Sequence, residues 1–456
     1  MRLRENKSRE HALSPEERFA VWLLAVMAFF LFADQNLMAP NLTQIAREFG
    51  FTEMERDVKL GGQVSLAFWV IGGTVSLIAG YLTDLWHRKG LLIAIILVGE
   101  IPCLLTGFAR NFEQLIWLRA LTGIGMGGAM PVIYSFLGDY FPAQRRAAAS
   151  AYMGLAMGLG IAGGQLIAGL LGPEHGWRLP FILVALPNFL LIILFALLVR
   201  EPRRGQAEEE LKDLIHQGLD YSGTIHWKQI RSLFRVRTNL FIFIQALFGT
   251  VPWGVFFVFL NDFYAQDKGY PVETATLIVM VVGGAAILGG LVGGLLGNRV
   301  YNIKHAYLPL FSGLVTLTGI IPTLILINLP AGEARVALPL VFGFLSGLIV
   351  AMTGPNIRAM LLNVNPPETR GTIFAVFTLA DDVGKGLGPV VISLLILAVG
   401  RLLAFNIATL FWLVCGMILL LLVRVYPSDE EQLRLTLKER FPAQHIMHSD
   451  RIPTME

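Results

Sequence analysis

The chain has 456 residues, 55% of them hydrophobic and only 15% charged, with a net charge of +3 and a mean hydropathy of +0.62. A soluble domain carries about 25% charged residues, and the charges here are segregated: Leu91–Gly99, Phe181–Val199 and Leu410–Val423 contain none. A soluble fold is excluded, and so is a disulfide or metal framework, because Cys103 and Cys415 both fall in apolar stretches without metal-ligand spacing.

Apolar stretches of roughly 20 residues are long enough as helix to cross about 30 Å of hydrocarbon. A barrel would show alternating segments of about 10 residues instead. Twelve spans are predicted in chain order, at 19–41, 61–82, 90–109, 112–138, 146–171, 178–199, 238–262, 272–297, 305–328, 335–363, 371–398 and 402–425. The fold class is an all-α integral membrane protein. A basic segment, 1–18, precedes the first span, which lacks the short apolar region and cleavage site of a signal peptide and is read as retained. The segment 200–237 separates two six-span domains, 19–199 and 238–425; within it Glu208–Ile215 is either a surface amphipathic helix or part of a solvated linker. The tail, 426–456, places Glu430, Glu431, Arg434 and Lys438 at helical spacing. Of the 36 Lys and Arg, 25 fall on one side if the amino terminus is cytoplasmic, and 8 on the other. That bias puts both termini inside. The basic residues mark sidedness, and no nucleic-acid partner is expected.

The two domains echo one another. Gly80-Tyr81-Leu82-Thr83-Asp84, followed by His87-Arg88-Lys89, returns 214 residues later as Gly294–Arg299, with Asn298 in place of Asp84. Pro142–Arg145 returns as Pro367–Arg370, and the same shift of 225 carries Gly163 onto Gly388. A membrane chain of two similar halves moves solutes through the seam between them. Gly80, Leu82, Asp84, Arg88 and Lys89 resemble the signature loop after the second helix of the major facilitator superfamily, departing from it at Leu85 and His87. Arg119 with Gly123 and Gly125 resembles the family's fourth-helix motif. The resemblance implies two pseudo-symmetric six-helix bundles, a central cavity and alternating access. It also implies a conformational gate of Gly80, Asp84, Arg88, Lys89, Arg145 and Arg370, with Asp84 accepting from amides at the start of span eleven near Gly371. For Arg88 and Lys89 a plain topology signal is the alternative. Glycines at 154, 158, 160, 163, 164 and 169 in span five, and at 384, 386 and 388 in span eleven, predict close helix packing at the seam. Span five lacks the Gly-Pro of the family's antiporter motif.

Ionisable side chains inside spans are costly and face a partner or a wet cavity. Asp34 in span one and Arg119 in span four each lie about seven residues, roughly 10 Å, from the outer end. They are expected to pair, either as a proton-coupling site or as a fixed salt bridge. Asp381 and Lys385 share a face of span eleven, with Asp382 beside them and Arg358 in span ten within range. This cluster either binds a charged headgroup or proton, or is neutralised internally. Glu100 in span three is either protonated and packed or turned toward a neighbour; Gln245, Trp253 and Tyr134 are candidate cavity-wall residues.

Within the superfamily, Asp34, the run Arg119–Gly125, Arg200-Glu201-Pro202-Arg203 and Asp382 before a Gly-Pro resemble the spinster-like lysolipid and sphingolipid transporters. That pattern has Arg where this chain has Gln35, and a coupling Glu where it has Met126. The leading expectation is a proton-coupled transporter of an amphiphile such as a lysophospholipid. A proton-coupled organic-anion or sugar-acid symporter, or drug efflux, is the alternative. No phosphate loop, metal cluster or nucleophile–base spacing supports an enzyme, and without a Walker-type motif the energy source is an ion gradient. No cofactor is expected beyond the proton gradient. The expected partners are a small-molecule or lipid substrate and membrane lipids, for a monomer in a bacterial inner membrane.

Overall fold

The structure, a computed structural model, describes residues 14–141, 143–202, 234–330, 336–366 and 369–440, without the side chains of 84, 85, 143–148, 150, 151, 370, 371 and 437–440. The expected segment Glu208–Ile215 lies outside these residues, as does the side chain of Lys438. Among the described residues there is no strand, and twelve helices are long and apolar enough to cross a membrane. Spans one to six are Pro15–Glu48, Glu53–Thr83, Arg88–Thr106, Phe112–Tyr140, Tyr152–His175 and Arg178–Leu198. Spans seven to twelve are Arg237–Asp267, Val272–Ile303, Tyr307–Asn328, Ala337–Val364, Thr372–Val399 and Arg401–Thr436. The chain is an integral membrane protein. The described residues begin, at Ser14, and end, at Arg440, on one face, here the termini face; the opposite one is the far face.

The ends of the spans follow local chemistry. Span one begins at a capping box: Ser14 Oγ accepts from the Glu17 amide at 3.2 Å, Glu17 Oε2 accepts from the Ser14 amide at 2.9 Å, and Pro15 fills the first helical position. Its regular helix stops at Ala33, passes through two short 3₁₀ turns, Asp34–Asn36 and Ala39–Asn41, and resumes as Leu42–Glu48. Pro40 cannot donate a backbone hydrogen bond, and Asp34 and Asn36 compete for those nearby. Span two widens into a π-helix over Arg56–Gln63. Span twelve belongs to a single helix, Arg401–Arg440, with Pro427 inside it.

Packing within each half depends on small residues. A Cβ on Gly127 of span four would run into the Gly72 backbone of span two, and one on Gly164 of span five into the Ala33 backbone of span one. Across the seam, Gly169 of span five packs on Thr276 and Gly158 on Ile287, both of span eight. Gly386 of span eleven packs on Trp69 of span two.

The apolar interior is divided unevenly. Toward the far face, one cluster of buried side chains crosses the seam, from Leu37, Leu42 and Leu60 to Val255, Phe259 and Phe405. Toward the termini face there are two separate clusters, one in the first half around Leu24, Ile133 and Phe136, the other in the second around Ile242, Met360 and Leu419. The described residues are therefore joined across the seam at the far face and divided toward the termini face.

Overpacking a tight helix contact costs about 1–3 kcal/mol. Gly127→Leu is expected to lower the melting temperature in detergent by several degrees. Gly283→Leu, whose added Cβ meets nothing within 4 Å, is expected to leave it unchanged.

Candidate functional site at the seam

A charge cluster closes the far face. Arg56 sits 2.9 Å from Asp57 and 3.5 Å from Asp262; Arg401 sits 2.8 Å from Asp262, 2.5 Å from Asp267 and 3.6 Å from Asp57. Thr43 donates to Asp262 at 2.5 Å and accepts from Arg56 at 3.0 Å. Spans one and two are thereby bound to spans seven and twelve. Arg56, Asp57 and Asp262 are buried, and Phe259 packs beneath them at Gly61. Sequence reasoning missed this cluster because its members sit at span ends, where charge is ordinary. The usable signal was the excess of acid, with Asp57, Asp262 and Asp267 all at far-face ends.

In the first half, Arg119 donates to Asp34 Oδ1 at 2.5 Å and to the carbonyls of Asp34 and Gln35 at 3.2 and 3.4 Å. Both side chains are buried, and the guanidinium carbon lies 4.7 Å from the Phe68 ring centre. The pairing expected from their shared depth is present. Arg119 also lines a cavity of about 40 Å³ with Gln35, Asn36, Ser65, Trp69 and Phe257, so its guanidinium borders the seam. Glu100 is fully buried and turned toward span six, where Asn188 Nδ2 donates to its Oε1 at 2.5 Å.

In the second half, Lys385 Nζ lies 2.5 Å from Asp381, 3.6 Å from Asp382 and 4.8 Å above the Trp69 ring centre of span two. The cluster thus reaches across the seam, and Gly73 of span two leaves room for Asp382. Arg358 is exposed and forms no ion pair among the described residues. It lies within Coulombic reach of Lys385 and, on the other half, of Tyr134, which is 40% exposed. Gln245 is packed between spans seven and twelve, donating to Cys415 Sγ at 3.0 Å, and Trp253 is half-buried against Trp412 and Phe257.

At the termini face, the buried Arg88 holds its own half together. Its guanidinium binds Asp139, Ser135 at 3.1 Å, the Pro202 carbonyl at 2.7 Å and Glu201 at 3.3 Å. Lys89 Nζ donates to the Ala196 carbonyl at 2.6 Å. Glu201 caps span three, accepting from the amides of Arg88 and Lys89 at 3.0 and 3.2 Å. Gly80 faces Pro131 of span four. The side chains of Asp84, Arg145 and Arg370 lie outside the described residues. Burial raises the Glu201 pKa, but the Lys89 and Arg88 amides and the Arg88 side chain outweigh it and hold the carboxyl below its ordinary 4.5.

Two outcomes are expected. Neutralising the far-face cluster with Arg401→Gln raises severalfold the labelling of a Val258→Cys reporter by a membrane-impermeant maleimide from the far face; unchanged labelling means that the cluster is not what holds that face shut. Glu201 has a depressed folded pKa, so its contribution is present above pH 4.5 and is lost as pH falls through the folded value below that. The melting temperature of the wild type therefore falls more steeply below pH 4.5 than that of Glu201→Gln.

The sequence pattern of the Major Facilitator Superfamily matches residues 24–338. A cis,cis-muconate transport protein of Acinetobacter baylyi is 23% identical over 421 residues, covering 90% of this chain and 96% of that protein. Among solved structures, a bacterial homologue of the human lysosomal transporter Spinster, inward-facing and unoccupied, superposes with a TM-score of 0.78 at 17% identity, over 92% of this chain and 99% of that one. Its inward-facing, occupied form gives 0.74 at 17% identity over the same shares. A D-xylose–proton symporter gives 0.61 at 15% identity, over 90% and 97%. The chain belongs to the Major Facilitator Superfamily and is a membrane transporter rather than an enzyme.

Proposed function

We propose that this transporter moves an organic anion by alternating access, driven by a proton gradient. The observation that carries the reading is Arg358, an exposed guanidinium without a counter-ion among the described residues, within Coulombic reach of Tyr134 on the other half. Guanidinium is well suited to bind carboxylate or phosphate in a fork. Lys385, held by Asp381 and Asp382 beside the Trp69 ring, is a second cation that an anion can draw on. The muconate relative, named for an organic anion, supports this class. Carboxylates at the seam bind protons directly, which favours protons over other coupling ions. In the cycle, an anion enters where the two halves are divided and meets Arg358. Proton binding then loosens the pairs that hold this state, the far-face cluster parts, and the halves close on the termini side.

An anionic amphiphile such as a lysophospholipid is the second reading. It is favoured by the separate apolar cores that the two halves keep on either side of the divided part of the seam.

The test is gradient-driven uptake in proteoliposomes, offering labelled cis,cis-muconate, other small organic acids and lysophospholipid in separate arms. Wild type accumulates an organic acid when the pH gradient is imposed. Arg358→Gln lowers that uptake about ten- to a hundredfold, the loss of one charge-assisted contact worth about 1.5–3 kcal/mol. Asp34→Asn exchanges substrate but no longer accumulates it. Uptake of lysophospholipid alone selects the second reading, and anion uptake indifferent to Arg358→Gln removes that residue from the site.

A further inference from the structure

Two buried carboxylates lie within Coulombic reach of one another inside the first half, and a single guanidinium pairs with one of them. Asp34 comes from span one, Arg119 from span four and Glu100 from span three, which also carries Cys103; span six contributes the uncharged Asn188. Glu100 is 0% exposed and Asp34 1%. The Arg119 guanidinium spends its hydrogen bonds on Asp34 and on the carbonyls of Asp34 and Gln35. Among the described residues no cation forms an ion pair with Glu100. Its Oε1 accepts from Asn188, while its Oε2 and the Asp34 Oδ2 have no hydrogen-bond partner. Glu100 lies within Coulombic reach of Asp34, and the Cys103 thiol within reach of Asp34, Glu100 and Arg119.

Charge balance decides the state of this group. With both acids ionised, one guanidinium leaves a net negative charge on a buried group that no second cation among the described residues pairs with, which a hydrocarbon surrounding does not tolerate. One proton restores neutrality, and with Arg119 committed to Asp34 it resides on Glu100.

We propose that Glu100 is a proton-binding site coupled to Asp34, the two acids holding one exchangeable proton against one arginine. The step it permits is a swap. The O–H bond at Glu100 Oε2 breaks, an O–H bond forms at Asp34 Oδ2, and the Arg119 guanidinium moves from Asp34 to the new Glu100 carboxylate. The group stays neutral throughout, and the proton ends on the acid whose chain neighbours Gln35 and Asn36 and partner Arg119 line the cavity at the seam. Span three packs tightly on the helix that carries Arg119, its Gly99 lying against Gly125 of span four.

The proposal rests on the proton coupling proposed above, and its test separates the two. Infrared spectroscopy of the purified transporter is expected to show a buried carboxylic-acid C=O band that disappears in Glu100→Gln. In Asp34→Asn at the same pH the band weakens severalfold, because the freed Arg119 pairs with Glu100 and carries its charge. In proteoliposomes, Glu100→Gln exchanges substrate but loses gradient-driven accumulation at least tenfold. A hydrophobic carbodiimide, which attacks protonated buried acids, labels Glu100 in wild type and labels it less in Asp34→Asn; this readout stands even if Glu100→Gln fails to fold. Absence of a band or label assignable to Glu100, or indifference of both to Asp34→Asn, overturns the proposal. A coupled band in a wild type that shows no gradient-driven uptake keeps the site and rejects proton-driven transport.

Discussion

Two guanidiniums, those of Arg56 and Arg401, gather the carboxylates of Asp57, Asp262 and Asp267 at the far face, and the closure of the seam depends on them. A buried ion pair gains Coulomb energy but gives up hydration, so its net contribution is close to balanced, while removing one partner alone is costly. A cluster of this kind specifies which surfaces meet without welding them. The single apolar core beneath it, which runs through both halves, gives the closed face its cohesion. Toward the other face each half keeps its own core, so no comparable apolar contact has to be broken there as the halves move.

The two charge groups deeper in the seam are wired differently. Asp34 and Arg119 satisfy one another within the first half, and the guanidinium reaches the seam only through the small cavity it lines. Lys385 binds its two aspartates within span eleven and then extends over Trp69 of span two, so the second group feels the separation of the halves directly. Under the proposed function, a proton at the first group and an anion at the second would act on opposite sides of one joint. That is the arrangement alternating access requires, since a ligand shifts a conformational equilibrium only by its differential affinity for the two states.

Much of this was legible in the sequence because hydrocarbon enforces simple rules. Twelve apolar runs became twelve spans, and equal depth brought Asp34 to Arg119. The four-residue spacing of Asp381 and Lys385 became an ion pair. What stayed hidden depends on rotation about helix axes and on partners far apart in the chain. Gln245 turned toward Cys415, 170 residues away, and Glu100 found Asn188, 88 residues away. The predicted first span stopped at 41, whereas the chain continues as helix to Glu48 after two 3₁₀ turns, because polar residues that interrupt it are buried and partnered within the first half, Asp34 with Arg119 and Asn41 with the Ala168 carbonyl. Charges at span ends read as loop residues until the fold sets Arg56 against Asp262.

Span twelve has a mechanical consequence. Its helix begins at Arg401, inside the far-face cluster, and runs 40 residues to Arg440, about 60 Å. At its other end Asp429 holds the Thr238 amide at the head of span seven at 2.7 Å, and Glu430 holds Tyr301 in the last turn of span eight and His305 just beyond it. Pro427 removes one backbone hydrogen bond just before these contacts, at the point where such a rod bends most easily. A single strut therefore fastens to the closing cluster on one side of the bilayer and to the heads of its neighbours on the other. Its tilt transmits torque between the two surfaces, so that a load applied at the tail is felt at the far-face closure.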